Sequence, residues 1–310
     1  MLRWFMRATI SAVAIAVLVS IIPVDAVAEA LRRVSVWTWS ASALIFFSGH
    51  YLNALKLRIL IEPARTANSA LTAACVRAQY AGLVANLGLP GLAGGDFVRA
   101  AYLAPLTGLK RVAVASVADR VIDTATLILL VAVALPLAGI PADIAGPLRD
   151  AAIWIIAGLA IVSLAALMLL RLRFAAVLQK IWMPLVDLTA RRSALFMAGA
   201  ISLAVQSAFV VTNIWLAREA GITTSVASWF VAWPLSKLIA VLPISLGGIG
   251  VREGALVALL APYGAEREAV LASGVLWQAV LIVTGFAGLA ITQLMPRTPA
   301  GRVAPLAKET

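Results

Sequence analysis

The sequence of 310 residues has little charge, one histidine and one cysteine. Charged residues make up 13% of it, about half of the roughly 25% that is usual in a soluble protein. Hydrophobic residues make up 63% and the mean hydropathy is +1.00, which excludes a soluble globular protein. One cysteine, Cys75, excludes a disulfide framework, and one histidine, His50, argues against a histidine-rich metal centre. We therefore expect neither a metal nor a cofactor.

Long apolar runs predict an all-α polytopic membrane protein, because a bilayer core of about 30 Å needs roughly 20 apolar residues per helix. Two weaker segments, 70–89 and 226–242, each carry a charged residue, Arg77 or Lys237, and each is followed directly by a proline. The first apolar run follows Arg3 and Arg7 and also fits a secretory signal peptide, although we expect it to remain as a helix. The six expected full spans are 8–24, 36–55, 112–137, 151–170, 194–216 and 269–294.

Basic residues are unevenly distributed among the loops. Fifteen lie in the N-terminus, the tail and the segments 56–69, 110–111 and 171–192, whereas five lie in the opposite loops. The positive-inside rule puts the larger group, and both termini, in the cytoplasm. With this orientation, 70–106 must enter and leave the membrane at the cytoplasmic face, and 226–262 at the outer face. We expect two re-entrant helical hairpins of opposite orientation.

The two hairpins share a sequence motif. Residues 89–99 (LPGLAGGDFVR) and 242–252 (LPISLGGIGVR) are identical at six of eleven positions, in register at an offset of 153. Paired inverted repeats are typical of secondary transporters, whose sites lie near the midplane where broken helices meet. Chance similarity between two loops rich in proline and glycine is the alternative.

The repeat defines the expected domain organisation. We expect one membrane domain, 1–294, composed of repeats at about 1–140 and 151–294. A disordered cytoplasmic tail, 295–310, follows it, since three prolines and polar residues dominate there.

The hairpin loops predict an anion site. Proline ends a helix, paired glycines allow close backbone approach, and a helix that restarts after them directs free N–H groups at the loop. Arg99 and Arg252 lie in the first turns of those helices, which indicates phosphate binding. The alternative is that the glycines only permit tight packing while the arginines reach the interface. The glycines concerned are Gly94, Gly95, Gly247 and Gly248.

Further charged residues lie at membrane depth, where each costs about 2.5–3.5 kcal/mol on insertion scales unless it faces a cavity or a partner. Asp119 and Asp123 share one helical face and therefore need a cation between them, for which Arg99 or Arg252 is the candidate. The carboxylates would position the arginines or exchange with an amine or a proton. An ion-pair network that only stabilises the fold is the alternative. The remaining predicted site residues are Asp96, Arg120 and Glu253.

These motifs resemble the flippase-like membrane region of the lysylphosphatidylglycerol synthase family. The resemblance rests on residues 86–99, 119–123 and 243–253. It implies movement of phospholipids or related lipid-linked molecules between leaflets. In full-length synthases a cytosolic aminoacyl-transferase domain follows this region. Here 16 residues follow Leu294, so we expect no synthase chemistry.

Two functions stay open from the sequence. The first is a flippase-like protein of the bacterial inner membrane that translocates an anionic phospholipid or lipid-linked molecule. The alternative is a non-transporting scaffold of a lipid or glycolipid biosynthesis complex. We do not expect an enzyme, because no nucleophile–base motif is present. The expected partners are the lipid substrate and either a second copy of the chain or a lipid-synthesis enzyme. No nucleic-acid motif accompanies the net charge of +11.

Overall fold

The computed structural model describes residues 32–62, 69–88, 93–139, 191–240 and 250–295, together with Glu29. Within these residues the protein is helical throughout and contains no strand. Several predictions fall outside the described residues, namely those for the spans 8–24 and 151–170, the tail 295–310 beyond its first residue, and the pair Gly247 and Gly248.

The described α-helices are α1 Val36–Ile61, α2 Ser69–Gly88, α3 Ala93–Thr107, α4 Leu109–Ala134, α5 Arg192–Glu219, α6 Val226–Ala240, α7 Val251–Leu260 and α8 Arg267–Leu294. Short 3₁₀ turns, Leu135–Leu137 and Ala261–Tyr263, extend α4 and α7. Helices α1, α4, α5 and α8 are apolar and have 26 to 28 residues, enough to cross a core of about 30 Å. They coincide with four of the predicted spans, and the chain is a multi-pass membrane protein.

Helix α1 differs from its predicted span at the C-terminal end. It begins after Ser35, whose hydroxyl oxygen accepts the Thr38 N–H at 3.0 Å, and it continues to Ile61. The sequence analysis counted Lys56 among the loop charges, which is wrong because its side chain is fully buried. The helix continues past this lysine because four of the next five residues are apolar.

The two weaker segments each form part of a helical hairpin, α2 with α3 and α6 with α7. Glycines permit close contact in the first hairpin. A Cβ on Gly95 would lie 2.6 Å from the Gly82 carbonyl oxygen, and one on Gly82 would lie 2.9 Å from the Gly95 carbonyl oxygen. In the second, α7 starts at Gly250, whose φ is +84°. The Glu253 carboxylate accepts the Gly250 N–H at 2.7 Å and so caps this helix.

The hairpins open towards opposite ends of the bundle. One apolar cluster joins the end of α1, the start of α2, the end of α3 and the starts of α4 and α5 through Leu60, Leu71, Leu103, Val112 and Ala198. Another joins the end of α5, the start of α6, the end of α7 and the start of α8 through Ala217, Trp229, Leu260 and Val270. Each hairpin therefore has both of its outer ends at one end of the bundle.

The helix contacts of the two halves correspond when α1–α4 are matched in order with α5–α8. Helix α2 packs on α3 as α6 packs on α7, and α3 packs on α4 as α7 packs on α8. Between the halves, α8 contacts α1 and α2, while α4 contacts α5 and α6. Helices α1 and α5 pack on each other directly and run antiparallel, since the Ser35 N–H before α1 donates to Glu219 at the end of α5 at 2.6 Å.

Candidate functional site

A cavity of about 200 Å³ lies where all eight described helices meet. Its wall combines charged, amide and aromatic side chains. Among the described residues, four cations and two carboxylates line it, so this part of the wall has a positive charge overall. Five of these six residues belong to the predicted site, and Lys237 is the addition. The charged lining residues are Arg99, Asp119, Arg120, Asp123, Lys237 and Arg252.

Asp96 pairs with Arg99 and Arg120, the two cavity arginines on the side of the first hairpin. Nε and Nη2 of Arg120 donate to its two carboxylate oxygens at 3.0 and 2.7 Å, a bidentate geometry that fixes the guanidinium plane. Arg99 Nη1 lies 3.2 Å from Asp96 Oδ1 and 3.7 Å from Asp119 Oδ2. Both Arg99 and Asp119 are buried. These contacts fix the arginines of α3 and α4 relative to each other.

Lys56 is the cation between Asp119 and Asp123. Its Nζ lies 2.9 Å from Asp119 Oδ1 and 2.5 Å from Asp123 Oδ1. Ser202 Oγ donates to the same Asp123 oxygen at 2.6 Å. The sequence predicted a motif arginine here, but the cation is a lysine. The available signal was the apolar sequence on both sides of Lys56, which indicates a helix rather than a loop. Lys56 is thus the counter-ion of both carboxylates.

Arg252 occupies the corresponding position in the second hairpin, but its environment differs. Its Nε donates to Glu253 Oε1 at 3.0 Å, and its Nη2 contacts the same oxygen. Nη2 also lies 3.2 Å from Gln278 Oε1, and the guanidinium carbon lies 5.4 Å from the centre of the Trp233 ring. Glu253 therefore caps the first turn of α7 and also forms an ion pair with Arg252. It does not line the cavity itself.

Lys237 enters the cavity from α6. Its Nζ donates to Gln206 Oε1 at 2.7 Å and lies 5.9 Å from the centre of the Phe209 ring. None of the ion pairs found among the described residues includes this lysine. It is the one charged side chain of the wall, within the described part of the chain, that has no oppositely charged partner.

Five buried polar atoms on lining residues have no hydrogen-bond partner among the described residues. They are His50 Nε2, Asn53 Oδ1, Arg99 Nε, Trp233 Nε1 and Asp119 Oδ1, the last of which has an ion-pair contact with Lys56. The Gln79 amide lies 3.1 Å from His50 Nδ1 and donates to it, so a neutral imidazole carries its proton on Nε2. Three of the five atoms are therefore donors. A group of unpaired donors in a positively charged wall suits a ligand rich in anionic oxygen.

Aromatic rings form the apolar part of the wall. The Phe46 ring stacks on Phe209 at 4.6 Å between centroids, and Trp277 packs edge-on against Phe46 at 4.6 Å and against Trp233 at 4.8 Å. Rings beside charged groups keep the local dielectric constant low, which strengthens hydrogen bonds to a ligand.

The glycines of the first motif lie beside the cavity rather than in its wall. Neither Gly94 nor Gly95 is a lining residue. The Gly95 N–H donates to Asn86 Oδ1 at 2.7 Å, so this amide is not free to bind a ligand. The observed role of Gly95 is close packing of α3 on α2. The unpaired donors found on the described lining residues are side-chain groups.

Arg77 on α2 is a further charged residue, which lies away from the cavity. Its guanidinium donates to the Thr292 carbonyl oxygen at 3.2 Å and to that of Met295. These carbonyls belong to the C-terminal end of α8, where a cation interacts favourably with the helix dipole. Arg77 therefore caps α8.

Long apolar helices around a cavity lined by more cations than carboxylates, among the described residues, are the features of a multi-pass membrane protein. The chain matches the family described as the lysylphosphatidylglycerol synthase TM region over residues 4–288, and it belongs to that family. The match confirms the resemblance noted in the sequence and relates the protein to lipid metabolism. A comparison with curated proteins gave no significant match.

Proposed function

We propose that the protein translocates an anionic phospholipid or lipid-linked molecule between the leaflets of the bacterial inner membrane. The observation that carries this proposal is the positively charged cavity with its unpaired donors. Each ionised side chain at membrane depth costs about 2.5–3.5 kcal/mol on insertion scales. Neighbouring charges compensate much of this cost, but the free donors are compensated only when a ligand binds. The free donors would replace the hydration that a phosphate loses when it leaves water.

The size of the cavity supports a headgroup site. Its volume of about 200 Å³ is below the roughly 300–1,000 Å³ that is usual for sites of drug-sized ligands. It has space for a phosphate and a small substituent but not for acyl chains. The acyl chains would remain in lipid while the headgroup follows the polar path.

The helix arrangement supports two inverted repeats, each with three spans and one re-entrant hairpin. Helices α1–α4 match α5–α8 in order and in contacts, and the matched pair α1 and α5 runs antiparallel. The hairpins open at opposite ends of the bundle, as an inverted repeat requires. Together with 8–24 and 151–170, the four long helices would give six full spans. The cavity would then lie between two broken helices that enter from opposite faces.

The orientation can be tested with single cysteines in a Cys75→Ala background. Thr223 and Glu266 lie at one end of the bundle, and Lys110 and Ser193 lie at the other; all four are exposed. Cysteines at the first two positions should react with an impermeant maleimide added to intact cells. Those at the other two should react only after the cells are opened. Labelling of Lys110→Cys in intact cells would contradict the cytoplasmic assignment.

We further propose that the protein has no enzymatic activity of its own. Its single histidine is bonded to Gln79, and the lining residues include no serine, threonine or cysteine. Binding and release of the headgroup require no covalent step. A second copy of the chain or a lipid-synthesis enzyme remains the expected protein partner.

The proposal is tested by leaflet exchange in proteoliposomes. Fluorescent phosphatidylglycerol and fluorescent phosphatidylcholine would each be followed by one-sided chemical quenching, with and without a proton gradient. We expect phosphatidylglycerol to exchange faster with protein than in empty liposomes, and the acceleration to be smaller for phosphatidylcholine. Equal rates in protein-containing and empty liposomes, for several anionic lipids, would instead favour the scaffold function.

A further inference from the structure

The charge balance of the cavity differs between the two hairpins. On the side of the first hairpin, three cations face three carboxylates within one connected group: Lys56, Arg99 and Arg120 with Asp96, Asp119 and Asp123. This group is neutral. On the side of the second hairpin, Arg252 pairs with Glu253, and Lys237 has no ion pair among the described residues. The unbalanced positive charge of the wall therefore lies at the second hairpin.

Lys237 supplies this unbalanced charge. Arg252 is paired with Glu253, whereas Lys237 bonds only to the neutral amide of Gln206. A partly buried cation without an ion-pair contact is costly unless a ligand brings a negative charge to it. A neutral amide as its only partner leaves the lysine free to take an anionic oxygen.

An unpaired donor lies beside this lysine. Trp233 precedes Lys237 by four residues on α6, so the two side chains lie on one face of the helix. The Trp233 side chain is 1% exposed and lines the cavity, and its indole N–H has no partner among the described residues. The guanidinium of Arg252 lies over the same indole ring at 5.4 Å. Trp233 therefore brings the two cations together and adds a donor of its own.

We propose that Lys237, Arg252 and the indole N–H of Trp233 form a phosphate subsite at the second hairpin. Its ligand is the phosphate of a lipid headgroup that carries net negative charge. A headgroup with its own amine is disfavoured, because each carboxylate at the cavity in the described part of the chain already has a cation as its partner. The inference rests on the proposed function and names the part of the cavity that selects the substrate.

The subsite is tested by lipid binding to purified protein in detergent, with native mass spectrometry as the readout. The probes are short-chain phosphatidylglycerol, phosphatidylcholine and inorganic phosphate. We expect wild-type protein to prefer phosphatidylglycerol. The variant Lys237→Gln keeps a donor for Gln206 but removes the charge, and it should lower phosphatidylglycerol affinity about tenfold or more. It should leave phosphatidylcholine binding nearly unchanged, so the preference is lost. Trp233→Phe should lower phosphatidylglycerol affinity by a smaller factor.

Two further variants separate a binding role from a structural one. Lys237→Arg keeps the charge and should retain most of the preference. Lys110→Gln makes the same change as Lys237→Gln at an exposed position outside the cavity and should bind like wild type. Thermal unfolding of each variant identifies a folding defect, which would lower the binding of both lipids together rather than the preference between them.

Several outcomes would overturn the inference. One is a wild-type preference for phosphatidylglycerol that Lys237→Gln leaves intact, and another is equal binding of the two lipids by wild type. Competition by inorganic phosphate as strong as that by the lipid would assign the subsite to a free anion instead of a headgroup. If binding is selective and depends on Lys237 but proteoliposomes show no leaflet exchange, the result would support the subsite and contradict the proposed transport.

Discussion

Replacing Lys56 with methionine should destabilise the protein more than any other single change near the cavity. Lys56 is fully buried and holds two carboxylates, Asp119 at 2.9 Å and Asp123 at 2.5 Å. Methionine has a similar volume but no charge, so both aspartates would lose their nearest counter-ion. Breaking a buried ion pair by removal of one partner costs about 3–5 kcal/mol. We expect low yield and a large decrease in the thermal unfolding temperature in detergent.

Two comparisons make this result interpretable. Lys110→Met removes an exposed lysine on α4 and should leave the unfolding temperature nearly unchanged. Removing one carboxylate as well, in the double variant Lys56→Met and Asp123→Asn, should recover much of the lost stability, because two cations and two carboxylates then remain in the group. A Lys56→Met protein as stable as Lys110→Met would show that the network contributes little.

The sequence predicted the long helices well because hydropathy depends only on local composition. Four expected spans are helices within a few residues of their predicted ends. The largest difference is at α1, where Lys56 was taken as a loop charge. A lysine that ends an apolar run and a lysine buried within a helix look alike in sequence. The difference is made by Asp119 and Asp123, which are more than sixty residues away along the chain.

The motifs of the candidate site were predictable from the sequence, but the balance of positive and negative side chains around the cavity was not. The matched arginines Arg99 and Arg252 do line one cavity, and so do both aspartates of α4. Lys237 was not among the predicted site residues, because no motif includes it. Its importance follows from the absence of a carboxylate partner among the described residues, which only a three-dimensional arrangement reveals. Likewise, the amide of Gly95 is taken by Asn86, a side chain that sequence alone does not bring to it.

Arg252→Ala should abolish leaflet exchange, and Arg252→Lys should reduce it about tenfold or more while the protein stays folded. The arginine uses Nε and Nη2 on Glu253, reaches Gln278 and lies over the Trp233 ring. Lysine offers a point charge on a flexible stem and cannot reproduce these planar contacts while also facing a phosphate. Glu253 would keep its bond to the Gly250 N–H, so α7 should still begin normally. The measurement is one-sided quenching of fluorescent phosphatidylglycerol in proteoliposomes.

Comparison with Arg99 variants tests whether the arginines of the two hairpins contribute equally to leaflet exchange. Arg99→Ala should also abolish exchange, because it removes the unpaired Nε from the wall. Arg99→Lys should be milder than Arg252→Lys, since Arg120 stays on Asp96 and Lys56 stays on Asp119 to keep the first group in place. Arg111→Lys at the start of α4, outside the lining, serves as the matched control and should exchange lipid at the wild-type rate. Wild-type rates in both lysine variants would mean that the arginines act only as generic positive charge, and the phosphate contact would then have to be assigned elsewhere in the cavity.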